Sequence, residues 1–434
     1  MNNHPQRTAL TEELHARPFQ AVRAPARALL LAFKQPQGAA ERDHSHDRAH
    51  LLALLDRYGL PHPPENATQH TAMINGVLLK WEQHTEFVSY TLIAEKAEPP
   101  LFQATLASMV DDEWMNSAPG QVIAASEVEL IESPAEDPKA ALTPDLMESF
   151  NQESLAASLI LDRAVVALGD FRIDGRGFTR FALLVTAPTA PRRLGRAMQR
   201  ILEIEVYRTM AMLALPIARS AAKRLNEIER LLAELMDRAT GVDEARESDE
   251  ALLADLTGYS AEIEALAAAN AFRMDAAEAY GTIVEDRIRL LKEQPVAGRQ
   301  RFGEFMIRRF EPAMRTIQAA KERQKALSDR SARLAELLRT RVNVQLEAQN
   351  QQVLERMDRR AALQLRLQQT VEGLSVVAIS YYAVGLLGYL FAPVGDIPGL
   401  SPNVVMAFLT VPVVFGVWYS VRRVRQRLER RGKT

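Results

Sequence analysis

The spacing of hydrophobic positions changes near residue 190. Before that point the chain reads as short strands with few helices. Residues 27–34 (RALLLAFK) form an apolar run of strand length. Residues 48–58 are amphipathic, with Leu51, Leu52, Leu54 and Leu55 grouped and Gly59 placed to end a helix. Residues 76–95 alternate and are rich in Val, Thr, Tyr and Phe. They are too long for one ordinary strand, so a hairpin bending near residues 83–85 is expected. Residues 121–132, 164–171 and 178–186 predict three more strands, with Asp174-Gly175 as a hairpin turn between the last two. Strands joined this way predict an antiparallel sheet with the helices on one face, an α+β domain spanning residues 1–190.

Residues 186–193 (TAPTAPRR) are polar and punctuated by proline, the best boundary in the chain. Long helical segments follow at about 196–238, 243–293 and 302–372, with Pro216 and Pro312 expected to interrupt the first and third. Such lengths predict an extended helical bundle or coiled-coil stalk over residues 191–372. Leu327, Leu334 and Leu338 fit a heptad seam, as do Leu346 and Val353. The polar stretch 343–352 carries Gln345, Gln349, Asn350, Gln351 and Gln352, which at seam positions would fix register or oligomer number. The other reading of this stretch is a solvated helix face.

Charge then vanishes. Glu372 and Asp396 are separated by 23 uncharged residues, and residues 397–421 add 25 more. About 20 apolar residues span a hydrocarbon core, so residues 373–421 predict a two-helix transmembrane hairpin with its turn near 393–401. The basic segment 422–434 holds seven Lys/Arg and one Glu, and Arg359, Arg360 and Arg366 precede the first span. Positive flanks stay cytoplasmic, so both termini are expected in the cytoplasm. The residues from Arg422 to Lys433 should also attract anionic lipid headgroups.

The net charge of −2 is the sum of two unlike halves: residues 1–190 carry 15 Lys/Arg against 25 Asp/Glu, and the remainder 38 against 30. The basic half is the one expected to meet the membrane. There is no cysteine, which excludes disulfides, thiolate metal sites and cysteine nucleophiles. All eight histidines lie in the first 84 residues, so histidine chemistry must reside there.

Two clusters are candidates for it. If WEQHTEF (residues 81–87) is extended, Glu82, His84 and Glu86 share a face beside Lys80. Two carboxylates flanking an imidazole suit a divalent metal or an acid–base pair. The alternative is the polar outer face of a sheet. On a helix, His46 and His50 are four apart and point the same way, a spacing that suits a metal; the alternative is a solvated helix start capped by Asp43 or Ser45. The segment around His15, Arg17 and Phe19 suits docking on the sheet more than chemistry. No dinucleotide, phosphate-loop, zinc-protease or serine-nucleophile motif is present. The arginine-rich stretch 299–366 lacks interleaved aromatics, so no nucleic-acid partner is expected.

The strings ELHARPF (residues 13–19), WEQHTEF, LEIEVYRTMAMLALPIA (202–218) and the stretch 339–382 resemble a bacterial family of membrane-anchored proteins known only as a domain of unknown function. The resemblance covers nearly the whole chain and implies an inner-membrane location; it implies no activity, cofactor or catalytic residue. Gln83 stands where that family's string is expected to carry Arg. The architecture also looks like that of CorA-type magnesium channels, but their Gly-Met-Asn filter is replaced by GYLFAP at residues 388–393. The expectation is a membrane-anchored, homo-oligomeric scaffold or sensor without catalysis. The alternatives are a two-span cation channel with Asp396 at the pore mouth, or a metal-dependent enzyme built on Glu82, His84 and Glu86.

Overall fold

A computed structural model describes residues 4, 6–7, 11, 19–36, 38, 42–102, 106–135, 137–240, 249–391 and 402–431. The chain divides into two compact units, Met1–Ala335 and Glu336–Thr434. The first is an α+β unit built on one nine-stranded sheet, ordered β2-β3-β4-β1-β5-β8-β7-β6-β9. Its strands are β1 (Ala26–Lys34), β2 (Gln69–Ile74), β3 (Val77–Gln83), β4 (Phe87–Glu95), β5 (Gln121–Glu132), β6 (Ala156–Ile160), β7 (Val165–Ile173), β8 (Thr179–Val185) and the two-residue β9 (Gln294–Pro295).

The expected hairpin of residues 76–95 is present as β3 and β4, paired from Leu78↔Ile93 to Gln83↔Val88. The sheet is mostly antiparallel, with one correction: β5 and β8 are parallel, from Ser126↔Thr179 to Glu132↔Val185. The sheet is therefore two antiparallel halves joined edge to edge. Pairing between strands so distant in sequence follows from no local turn signal.

A second correction concerns the helices, which cover both faces. Period-two alternation sends Leu30, Phe87, Ile93, Val128, Ala167 and Phe181 to one face. There they meet α4 (Pro191–Met212), α6 (Asp249–Leu291) and α7 (Phe302–Arg309) through Met198, Ile201, Leu202, Val284, Leu291 and Phe302. The other face sends Leu29, Phe33, Trp81 and Tyr90 against α1 (His44–Arg57) and α2 (Asp112–Asn116). Further along that face, Val166, Leu168 and Leu184 pack under α3 (Pro144–Glu148) and the loop after it.

Helix α4 begins with Pro191 in its first turn, where the missing N–H is harmless. It carries buried Leu194, Met198, Ile201, Leu202 and Glu205 at helical spacing toward the sheet. Gly195 lets the chain cross it: a β-carbon there would overlap the carbonyl of Gln20, and Val22 N–H donates to the Pro191 carbonyl at 3.1 Å. The Pro-rich stretch 186–193 therefore does not separate two bodies. Helices α4, α6 and α7 share the sheet's core, and α5 (Ala214–Thr240) and the start of α8 (Glu311–Phe391) extend it through Ala218, Leu215 and Ile317. The division falls at Ala335/Glu336 instead. Leu327 and Leu334 are buried within this first unit.

In the second unit, the rest of α8 and α9 (Pro402–Arg431) are the long helices. Both are long and apolar enough to cross a membrane, with windows of mean hydropathy 1.6 and 1.2. They lie against each other with opposite directions. A β-carbon on Gly388 would sit 2.6 Å from the Met406 sulfur, while Ile379 shares a groove with Gly416, Ser420 and Val424. Small residues at a crossing let helix backbones approach closely. The expected turn at 393–401, and Asp396 within it, lie outside the described residues.

Candidate functional site

The β3–β4 turn is held by two guanidinium groups from outside the hairpin, Arg273 and Arg42. Strand β3 ends at Gln83, so His84, Thr85 and Glu86 form the turn rather than one face of a strand. Glu86 is buried and pairs with both terminal nitrogens of Arg273 on α6, one at 2.9 Å; its Oε1 also accepts from Tyr280 at 3.0 Å. Burial first, and then Glu86, raise the Tyr280 pKa. The Arg42 guanidinium donates to the carbonyls of His84 (2.7 Å) and Phe87 (2.9 Å) and pairs with buried Asp47 at 2.7 Å. Burial raises the Asp47 pKa despite Arg42. Gln83 Nε2 donates to the same carboxylate at 3.1 Å.

The expected triad of Glu82, His84 and Glu86 is thus dispersed. Glu82 pairs with Lys80 at 2.9 Å, His84 stacks on Phe87 at 4.1 Å between ring centroids, and Glu86 is committed to Arg273 and Tyr280. The second candidate pair separates as well. His46 is exposed near Asp43, whereas His50 is buried between Tyr90 and Trp114. His50 lies on the buried stripe of α1 with Asp47, Leu51 and Leu54. Among the described residues, no three His, Asp or Glu side chains gather as a metal site.

The structure does bring Glu82 and His84 to one cavity. It has a volume of about 200 Å³ and lies between β3, β4 and β1 below and α4 above, with Arg287 of α6 and the Phe19–Gln20 segment at its edges. That is smaller than the ~300–1,000 Å³ typical of drug-sized ligands. Its floor is set by register. Lys80 pairs across the hairpin with Thr91, and Glu82 with Ser89. Directly opposed residues place their β-carbons roughly 5 Å apart, so the four side chains make one polar patch. Leu30, Phe87 and Ile93 of the floor and Met198, Leu202 and Val206 of α4 surround it with apolar surface.

This patch is largely covered, and part of its hydrogen-bonding capacity faces the cavity. Lys80, Ser89 and Thr91 are only 5%, 4% and 8% exposed. Lys80 has Glu82 as a partner, which leaves two of its three N–H donors. Ser89 and Thr91 hydroxyls make no hydrogen bond to another described residue. Neither hydroxyl oxygen is among the fully buried unpaired atoms; both open on the cavity. The roof differs. Glu203 is paired with Arg287 and accepts from Gln199 at 2.7 Å, so its charge is already answered.

Sequence reading singled out Lys80, Glu82 and His84 but not Ser89, Thr91, Glu203 or Arg287. The available signal was FVSYTLI, in which two hydroxyl residues alternate with large apolar ones that face the opposite core.

A family model described as "Protein of unknown function (DUF3422)" matches residues 2–428. No curated protein matches the chain. No solved structure matches it.

Proposed function

The chain belongs to the DUF3422 family, and from its own geometry we propose that it is a membrane-anchored, non-catalytic sensor whose α+β unit binds a small solute in the cavity beneath α4. The binding half of this reading rests on the polar patch whose hydrogen-bonding capacity faces the cavity. Catalysis has no support there: the acid and base pair off, and the one other carboxylate of the turn is consumed by Arg273.

One observation carries the anchor. The apolar side chains of residues 373–390 and 406–424 are largely uncovered, with Tyr389 at 86% and Phe408 at 80% exposure. Exposed apolar surface on this scale marks an interaction site, and the length and charge-free composition fit hydrocarbon. The arginines from Arg422 onward orient both termini to the cytoplasm of a bacterial inner membrane and add attraction to anionic headgroups of about 1 kcal/mol per charge near the surface. In the same unit, Leu346, Val353, Leu367 and Leu374 are exposed at heptad spacing, with Arg360 in the intervening position. A second copy of the chain is the occupant that repeat fits, so the protein is a homo-oligomer in this reading.

Alkaline carbonate washing of membranes from cells expressing the protein tests the anchor. The full chain should stay in the pellet, and a chain lacking residues 373–434 should move to the supernatant. Release of the full chain would sink the anchor.

A further inference from the structure

We infer that the cavity beneath α4 takes a zwitterionic ligand with an apolar side group, of the chemical class of the aliphatic and aromatic α-amino acids. The inference rests on the reading of the cavity as a binding site and adds the class of what it binds.

The argument starts from unused hydrogen-bonding capacity. After their mutual contact at 2.9 Å, Lys80 retains two donors and Glu82 its Oε1. The Ser89 and Thr91 hydroxyls, each able to donate and accept, stand directly across the hairpin from Glu82 and Lys80. One end of the patch therefore offers an ammonium with a hydroxyl, and the other a carboxylate with a hydroxyl. The first suits a ligand carboxylate and the second a ligand ammonium.

The charge balance points the same way. Among the described residues, the four formally charged side chains on the cavity wall, Lys80, Glu82, Glu203 and Arg287, sum to zero. A ligand with a single charge would meet one attractive and one repulsive group at the same patch and would lose its hydration without net compensation. A ligand carrying both charges a few ångströms apart satisfies both ends. The six apolar residues around the patch then receive its side group, and about 200 Å³ accommodates a molecule of that size but not a nucleotide.

Titration calorimetry on the full chain in detergent tests this, with leucine and phenylalanine as zwitterions, isocaproate as the acid without the amine, isoamylamine as the amine without the acid, and isoamyl alcohol as the neutral probe. A zwitterion should bind at least about tenfold more tightly than isocaproate, isoamylamine or isoamyl alcohol. Ser89→Ala and Thr91→Val should each weaken it about tenfold. Because those hydroxyls hold no partner, both variants should melt as the parent does. Lys80→Met and Glu82→Gln should abolish the preference for zwitterions. Equal or tighter binding of a single-charge or neutral probe overturns the zwitterion inference and leaves the cavity as a binding site. Absence of binding by every probe overturns both.

Discussion

Replacing Glu86 by alanine is expected to destabilise the first unit by about 3–5 kcal/mol, the cost of removing one partner of a buried ion pair. The reason is convergence. Arg273 pairs with Glu86 directly, and the electrostatic field of this carboxylate also reaches Lys34 and Arg42. Burial already lowers the Lys34 pKa, and Arg273 and Arg42 lower it further; Glu86 is the group that opposes them. Without Glu86, Arg273 loses its partner and Lys34 the carboxylate that opposes Arg273 and Arg42, while Arg42 keeps Asp47; Tyr280 loses its acceptor. Glu86→Gln keeps an acceptor for Tyr280 but not the charge, so an intermediate loss is expected. Urea unfolding followed by tryptophan fluorescence is a suitable readout, because Trp81 and Trp114 are buried in this part of the sheet. A loss below about 1 kcal/mol for Glu86→Ala would contradict the assignment.

The second large effect is on pH dependence. His50 donates from Nε2 to the Trp114 carbonyl (2.9 Å), which leaves Nδ1 of the neutral ring to accept from the Tyr90 hydroxyl (2.7 Å). Its ring also stacks on Trp114, with centroids 4.1 Å apart. Burial pushes its pKa down from 6.5 to about 4. The unfolded chain therefore takes up this proton at a higher pH than the folded one. The contribution of His50 to stability is complete above pH 6.5 and is lost progressively as pH falls toward about 4. At 1.36 kcal/mol per pH unit the loss across that window is about 3 kcal/mol. Unfolding curves measured from pH 7.5 to 4.5 should show this decline, and His50→Gln should flatten it. An unchanged slope in His50→Gln would show that other groups carry the acid sensitivity.

Both effects show where sequence stopped being informative. The β3–β4 hairpin was readable because alternation is local, and α1 was readable from its leucines. The β2 edge strand, QHTAMI, is mixed in polarity and carries no such signal. The partners of the hairpin were not readable at all. Glu86 meets Arg273 at a separation of 187 residues, through a helix whose packing on the sheet nothing local announces. The shared face of Glu82, His84 and Glu86 required β3 to stay extended to Glu86, against the bend expected at 83–85; the turn is there, and Arg42 holds it from outside the hairpin. His50 was misread for a related reason. Its spacing to His46 suggested a shared face, while its spacing to Leu54 already placed it on the buried stripe. The parallel β5–β8 pair and the position of the unit boundary are likewise products of long-range packing.

The long uncharged runs, by contrast, were plain in sequence, since composition alone gives them. What sequence could not supply was the cavity. Its polar patch needs the register Lys80↔Thr91 and Glu82↔Ser89, and its closure needs α4 overhead.

The central claim is that this cavity is an open binding site rather than sheet core, and the absence of native cysteine makes it directly measurable. Ser89 and Val88 are neighbours on β4 that face opposite sides, Ser89 toward the cavity and Val88 toward the core beneath α1. Ser89→Cys and Val88→Cys are each conservative in size. Under native conditions a small methanethiosulfonate reagent should modify the Ser89→Cys chain rapidly and the Val88→Cys chain only at the rate of unfolding. Equal protection of the two would contradict the account.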